Sequence, residues 1–78
     1  MGHNRDTGYI LAFGSNLKKI RTAKNLTQEE LAHRCDLPLS QIGRFERGVR
    51  SPTLSTILIL ARGLKVEPKE LLDFKFKM

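Results

Sequence analysis

Arg44, Arg47 and Arg50 place guanidinium groups at three-residue intervals. Each guanidinium is a planar fork of N–H donors. It can span the O6 and N7 acceptors of a guanine or clamp the oxygens of a phosphate. The residues just ahead of them, Leu39, Ser40, Gln41 and Gly43, are small, apolar or amide-bearing. Leu39, Ser40, Gly43, Arg44 and Arg47 recur at i, i+1, i+4, i+5 and i+8, which is one face of an α-helix. Ile42 and Phe45 fall on the opposite face, where they can anchor the helix in a core. A cationic face with small residues, held clear of the core, suits the DNA major groove, which is about 12 Å wide and accepts a whole helix.

Each side chain on that face has a chemical role open to it. Arg44 can pair with a guanine edge, Leu39 can pack on a thymine methyl, and Ser40 or Gln41 can bond a base edge or a phosphate. Gly43 costs roughly 1 kcal/mol of helix propensity against alanine, and close approach of the backbone to the groove would compensate. Arg47, Arg50 and the first-turn amides of the preceding helix, near Thr27 and Gln28, are placed for phosphates. Lys18, on the outer side of the first helix, and Arg21 are assigned to the same phosphate set.

Other chemistries find less support. His33 and Cys35 are two apart on a helix and point away from each other, so they do not converge on a metal. Ser40 has no histidine partner, and Asp36 and Glu46 form no acid pair. The sequence therefore predicts no enzyme, no metal and no cofactor. The single cysteine, Cys35, forms no internal disulfide and fits a reducing cytoplasm. The longest apolar run, Ile57–Ala61, is far short of the roughly 18 residues of a membrane span. The N-terminus lacks the basic start and long apolar centre of a secretory signal. A cytoplasmic location is expected.

The elements that must position the arginines follow from capping chemistry. Phe13, Leu17 and Ile20 repeat at helical spacing and predict a first helix from Tyr9 or Phe13, stopping near Asn25. Thr27 and Glu30 form a capping box, with Leu26 and Leu31 as its hydrophobic staple, and start a second helix that buries Leu31, Ala32 and Cys35. Asp36-Leu37-Pro38 breaks it. Pro38 suits the first position of a third helix running to Arg47 and ending at Gly48. Thr53 caps a fourth helix to about Gly63, with Leu54, Ile57, Leu58, Ala61 and Leu64 inward. Pro68 opens a short fifth, with Leu71 and Leu72 inward. Two helices joined by so short a link as that between the second and third meet at a steep angle.

The chain has 78 residues, 40% of them apolar, and a net charge of +6, with a pI near 10.0. That is one small domain whose basic balance favours a polyanion. The expected organisation is an N-terminal extension over 1–12 that is flexible, a DNA-binding domain over 13–72, and a tail over 73–78.

The stretch LTQEELAHRCDLPLSQIGRFERG, followed by SPTLSTILILARGL, resembles the Cro/repressor-type (Xre) helix-turn-helix family of DNA-binding regulators. The resemblance covers roughly Phe13 to Leu72. It implies an all-α, five-helix, lambda-repressor-like fold in which the second and third helices form the DNA-binding unit. It also implies that Gln28 lies at a phosphate or base edge and that Leu39, Ser40 and Arg44 face bases. A pairing of Arg21 with Glu46, leaving a positive edge toward the DNA backbone, is implied too. Two positions depart from the family pattern: Asp36 stands where glycine is usual in the turn, and Pro38-Leu39 replace polar residues at the start of the third helix.

The expected partner is double-stranded DNA, with no membrane and no small-molecule substrate. The expected function is a sequence-specific, repressor-like transcriptional regulator acting as a homodimer. Ile59 falls outside the expected inward stripe and, with Phe74 and Phe76, is the candidate dimer surface. The rival is a helix-turn-helix module that binds protein and does not read DNA.

Overall fold

The computed structural model describes residues 7–76. It contains α1 (Thr7–Ala23), α2 (Gln28–Cys35), α3 (Leu39–Arg47), α4 (Leu54–Leu64) and α5 (Pro68–Leu71), with no strand among the described residues. The five-helix, all-α architecture is the expected one. Phe45, Leu17, Leu31, Ile42, Leu60, Leu64 and Leu71 are the largest fully buried side chains, so every helix contributes to one core. Each such side chain contributes roughly 1.5–3 kcal/mol by leaving water.

Four helices stop in the same way. Asn25, Asp36, Gly48 and Lys65 each take a left-handed conformation, with φ of 61°, 55°, 73° and 60°. In each case the next residue, Leu26, Leu37, Val49 or Val66, donates its N–H back to a carbonyl five residues earlier. These paired bonds satisfy carbonyls that a helix end leaves free. Leu26, Leu37 and Val66 pack in or against the core, so the turn is held by burial as well as by hydrogen bonds. That burial offsets the roughly 1–2 kcal/mol of placing a non-glycine residue in this region. Asp36 therefore serves where glycine is usual. The stop at Lys65 carries α4 one residue past the expected end at Gly63.

The starts follow the capping chemistry. The Thr27 hydroxyl accepts from the Glu30 N–H (3.0 Å) and the Thr27 N–H donates to the Glu30 carboxylate (2.8 Å). Thr53 caps α4 by accepting from the Thr56 N–H at 3.1 Å. Pro38 sits one place earlier than expected, as the residue before the first turn of α3.

Three expectations are corrected. Helix α1 begins at Thr7 instead of at Tyr9 or Phe13, so positions 7–12 of the expected extension are helical; positions 1–6 lie outside the described residues. Contacts distant in sequence cover this added turn: the rings of Tyr9 and Phe76 meet edge to face with centroids 4.9 Å apart, and Leu11 lies over Gly48. The inward face of α4 is rotated from the expected one. Leu60, Ala61 and Leu64 are buried with Ile57 beside them, whereas Leu54 is 74% exposed and Leu58 is 45% exposed. Leu72, expected inward, lies just beyond α5 and is exposed, while Leu71 is fully buried.

Two contacts set how α1 lies on its neighbours. A β-carbon at Gly14 would run into the Phe45 carbonyl oxygen and come within 2.8 Å of that of Glu46, so α1 and α3 cross with backbones nearly touching. The buried Asn16 side chain donates to the carbonyls of Glu70 (2.9 Å) and Leu71 (3.0 Å), tying α1 to the end of α5.

Candidate nucleic-acid interface

Helix α3 is fixed from below. Ile42 and Phe45 are fully buried, and Glu46 is bonded into the junction of three helices. The Arg21 Nε donates to Glu46 Oε2 at 2.6 Å and its Nη2 to Oε1 at 3.0 Å, the bidentate pairing that gives both charge and geometry. The remaining Arg21 nitrogen, Nη1, donates to the Leu26 carbonyl at 2.6 Å. Gln28 Nε2 donates to the same Glu46 oxygen at 2.9 Å. The carboxylate beside it raises the Arg21 pKa further above its ordinary value, through the hydrogen bond first and the charge attraction after it. One carboxylate thus ties α1, the start of α2 and the last turn of α3.

The pair implied by the family resemblance is present, and one assignment changes with it. Arg21 is 8% exposed and its Nε and both Nη atoms already donate within the protein. It is a buried structural cation, so its expected role as a phosphate contact is withdrawn. Gln28 keeps its backbone at the start of α2, but its side-chain amide faces Glu46. Spacing alone gave no sign of this network, because its members are 25 and 18 residues apart in the chain.

The opposite face of α3 carries the remaining candidates. Leu39, Ser40, Arg44 and Arg47 are exposed, Gln41 is half-buried, and Arg50 stands exposed just after the helix. Among the described residues the one ion pair is Arg21–Glu46, so Arg44, Arg47 and Arg50 have no carboxylate partner. Lys18 and Thr27 are exposed on the adjoining parts of α1 and α2. Glu30, in the first turn of α2, turns back onto Thr27; the Thr27 N–H, then its side chain, hold the carboxyl below its ordinary pKa. Gly43 departs from expectation: it is buried, covered by the side chain of Arg47.

The three dimer candidates border different surface features. Ile59 is half-buried against the core and its carbonyl accepts from the Cys35 thiol at 3.6 Å. It borders a groove with Arg34 and Gly63. Phe74 instead borders a small apolar hollow with Tyr9, Phe13 and Pro52, and Phe76 lies on Tyr9. Burial pushes the Cys35 thiol pKa up, which keeps it protonated and a donor to that carbonyl. Among the described residues no three His, Cys, Asp or Glu side chains converge on a metal position, and no helix is long and apolar enough to cross a membrane.

Comparison with known proteins agrees with this geometry. A helix-turn-helix family model, HTH_3, matches residues 17–71. The control protein C.BamHI of Bacillus amyloliquefaciens is 45% identical over 65 residues, covering 82% of this chain and 80% of that protein. The crystal structure of the restriction-modification controller protein C.AhdI from Aeromonas hydrophila superposes with a TM-score of 0.79 at 46% identity, covering 81% of this chain and 96% of that one. A second similar structure, at 32% identity and a TM-score of 0.70, is the controller protein C.Esp1396I as a tetramer in complex with its natural 35 base-pair operator; the match covers 83% of this chain and 97% of that one. With its capped α2, its left-handed turn at Asp36 and its anchored α3, the chain belongs to the helix-turn-helix family.

Proposed function

We propose that this protein reads DNA sequence by laying α3 in the major groove, as a homodimer on a two-fold operator. It is a DNA-binding transcriptional regulator and not an enzyme. The observation that carries the groove-reading proposal is the division of α3 into two sides. Ile42, Phe45 and Glu46 are held by the fold, whereas Leu39, Ser40, Arg44 and Arg47 are exposed, with no carboxylate on the two arginines among the described residues. In this reading Arg44, Ser40, Leu39 and Gln41 meet base edges. Lys18, Thr27, the α2 first turn at Gln28, Arg47 and Arg50 hold phosphates. Two half-sites then lie about one helical turn, roughly 34 Å, apart. Similarity to two restriction-modification controller proteins, C.AhdI and C.Esp1396I, supports genes of such a system as its targets. A cytoplasmic location fits the one free cysteine.

The test is a fluorescence-anisotropy titration with random fragments and with sites selected from a random oligonucleotide pool. Saturable binding with a clear preference for selected sites, weakening steeply with salt, is the expected result. Absence of binding even at low salt would instead favour a protein-interaction role for the same fold.

A further inference from the structure

Gly43 stands in the middle of α3, where glycine is the poorest helix former apart from proline. It is buried, yet its position is not filled by the core. A β-carbon built there would meet Arg47 Nη1 at 3.0 Å and Arg47 Cζ at 4.0 Å and, among the described residues, no other atom within 4 Å beyond its two chain neighbours and the helix's own backbone. The Arg47 guanidinium thus lies against the position of a side chain at 43, so that even a methyl group there would press it outward by a few tenths of an ångström. Helical side chains lean toward the N-terminus, which brings residue i+4 over residue i. The missing side chain lets Arg47 lie flat along that line. Among the described residues Arg47 has no carboxylate partner, so the notch at Gly43 is what seats its head group.

We propose that Gly43 is a positioning residue: it contributes to DNA binding through Arg47, by leaving the notch in which the guanidinium lies. The charge of Arg47 is thereby moved one turn back from the end of α3, over Gly43. The head group is also partly ordered before it meets a duplex, which lowers the entropy lost on binding. The rival account, close approach of the glycine backbone to the groove, places no requirement on Arg47. The inference rests on the proposed DNA binding, so the wild-type protein is titrated first on its selected site; no binding there is a failure of that earlier reading alone.

A double-mutant cycle separates the accounts. Gly43→Ala, Arg47→Ala and the double variant are compared for operator affinity, salt dependence and thermal stability. Gly43→Ala is expected to weaken operator binding by about threefold to tenfold and to lower the salt slope toward that of Arg47→Ala, which loses about one unit. Its thermal stability should hold or rise, because alanine is the better helix former. In the Arg47→Ala background the same glycine change should alter affinity by less than about twofold. A loss of equal size in both backgrounds would establish backbone approach instead, and no loss in either would remove Gly43 from binding; both results overturn the inference.

Discussion

Glu46→Ala is the substitution from which the architecture predicts the largest loss. The carboxylate is 3% exposed and accepts from Arg21 at 2.6 and 3.0 Å and from Gln28 at 2.9 Å. Its removal leaves a buried guanidinium with only the Leu26 carbonyl as acceptor. Breaking one side of a buried pair costs about 3–5 kcal/mol, most of it the uncompensated charge. A domain of this size has roughly 4–12 kcal/mol in total at about 0.05–0.15 kcal/mol per residue. The loss is therefore a large fraction of the whole, and at about 4–8 °C per kcal/mol it lowers Tm by roughly 12–40 °C. Urea denaturation followed by far-UV circular dichroism measures it. The double change Arg21→Met with Glu46→Leu removes both charges and should recover most of the loss, because replacing a buried pair by apolar groups is often neutral or better. Added salt should change little, since buried charges are weakly screened. A cost below about 1 kcal/mol for Glu46→Ala, or a double variant as unstable as the single one, would refute the reasoning.

Gly14→Ala should destabilise by roughly 1–3 kcal/mol through overpacking of α1 on α3, despite the better helix propensity of alanine; a raised Tm would show that the two backbones do not meet there. Glu30 has a lowered folded-state pKa, so its contribution is fully present above its unfolded value and is lost as pH falls through the folded one. Glu30→Gln keeps the cap's shape without its charge, so it should be less stable than the parent at neutral pH, match it in acid, and flatten the acid limb of a stability–pH curve; an identical acid limb in both proteins would exclude Glu30 as its source. Arg44→Ala should cost roughly 1–3 kcal/mol and relax preference at one base pair, and an equal loss on all sequences would make it a phosphate contact. Arg50→Ala should weaken all DNA alike and reduce the salt slope by about one unit; an unchanged slope takes Arg50 out of the footprint.

How far the sequence carried depended on whether a signal was local. The Thr27–Glu30 box, the Thr53 cap, the tolerant Asn25 and Asp36 and the stop at Gly48 are each decided within a few residues, and the boundaries they mark are present. Helix α4 was harder because Leu54, Ile57, Leu58, Ile59, Leu60 and Leu64 surround much of the helix with apolar residues. Such a helix has no polar stripe to fix its rotation, and contact with α2 and α5 decides it. The early start of α1 rests on Phe76 and Gly48, both far away in the chain. Arg21–Glu46 came from the family resemblance, since no periodicity links residues so far apart. Asn16 and its two carbonyl acceptors in α5 left no sequence trace.

The two sides of α3 have a consequence for how new target preferences can arise. What orients the rod, namely an isoleucine, a phenylalanine and one carboxylate, shares no residue with what faces away from the protein. If α3 reads DNA as proposed, replacements at Leu39, Ser40 or Arg44 change the DNA word that is preferred without loosening the joint beneath it. Relatives built on this frame can thus diverge in the sites they select while the frame itself stays put, and a library restricted to those three positions is a direct route to altered operators.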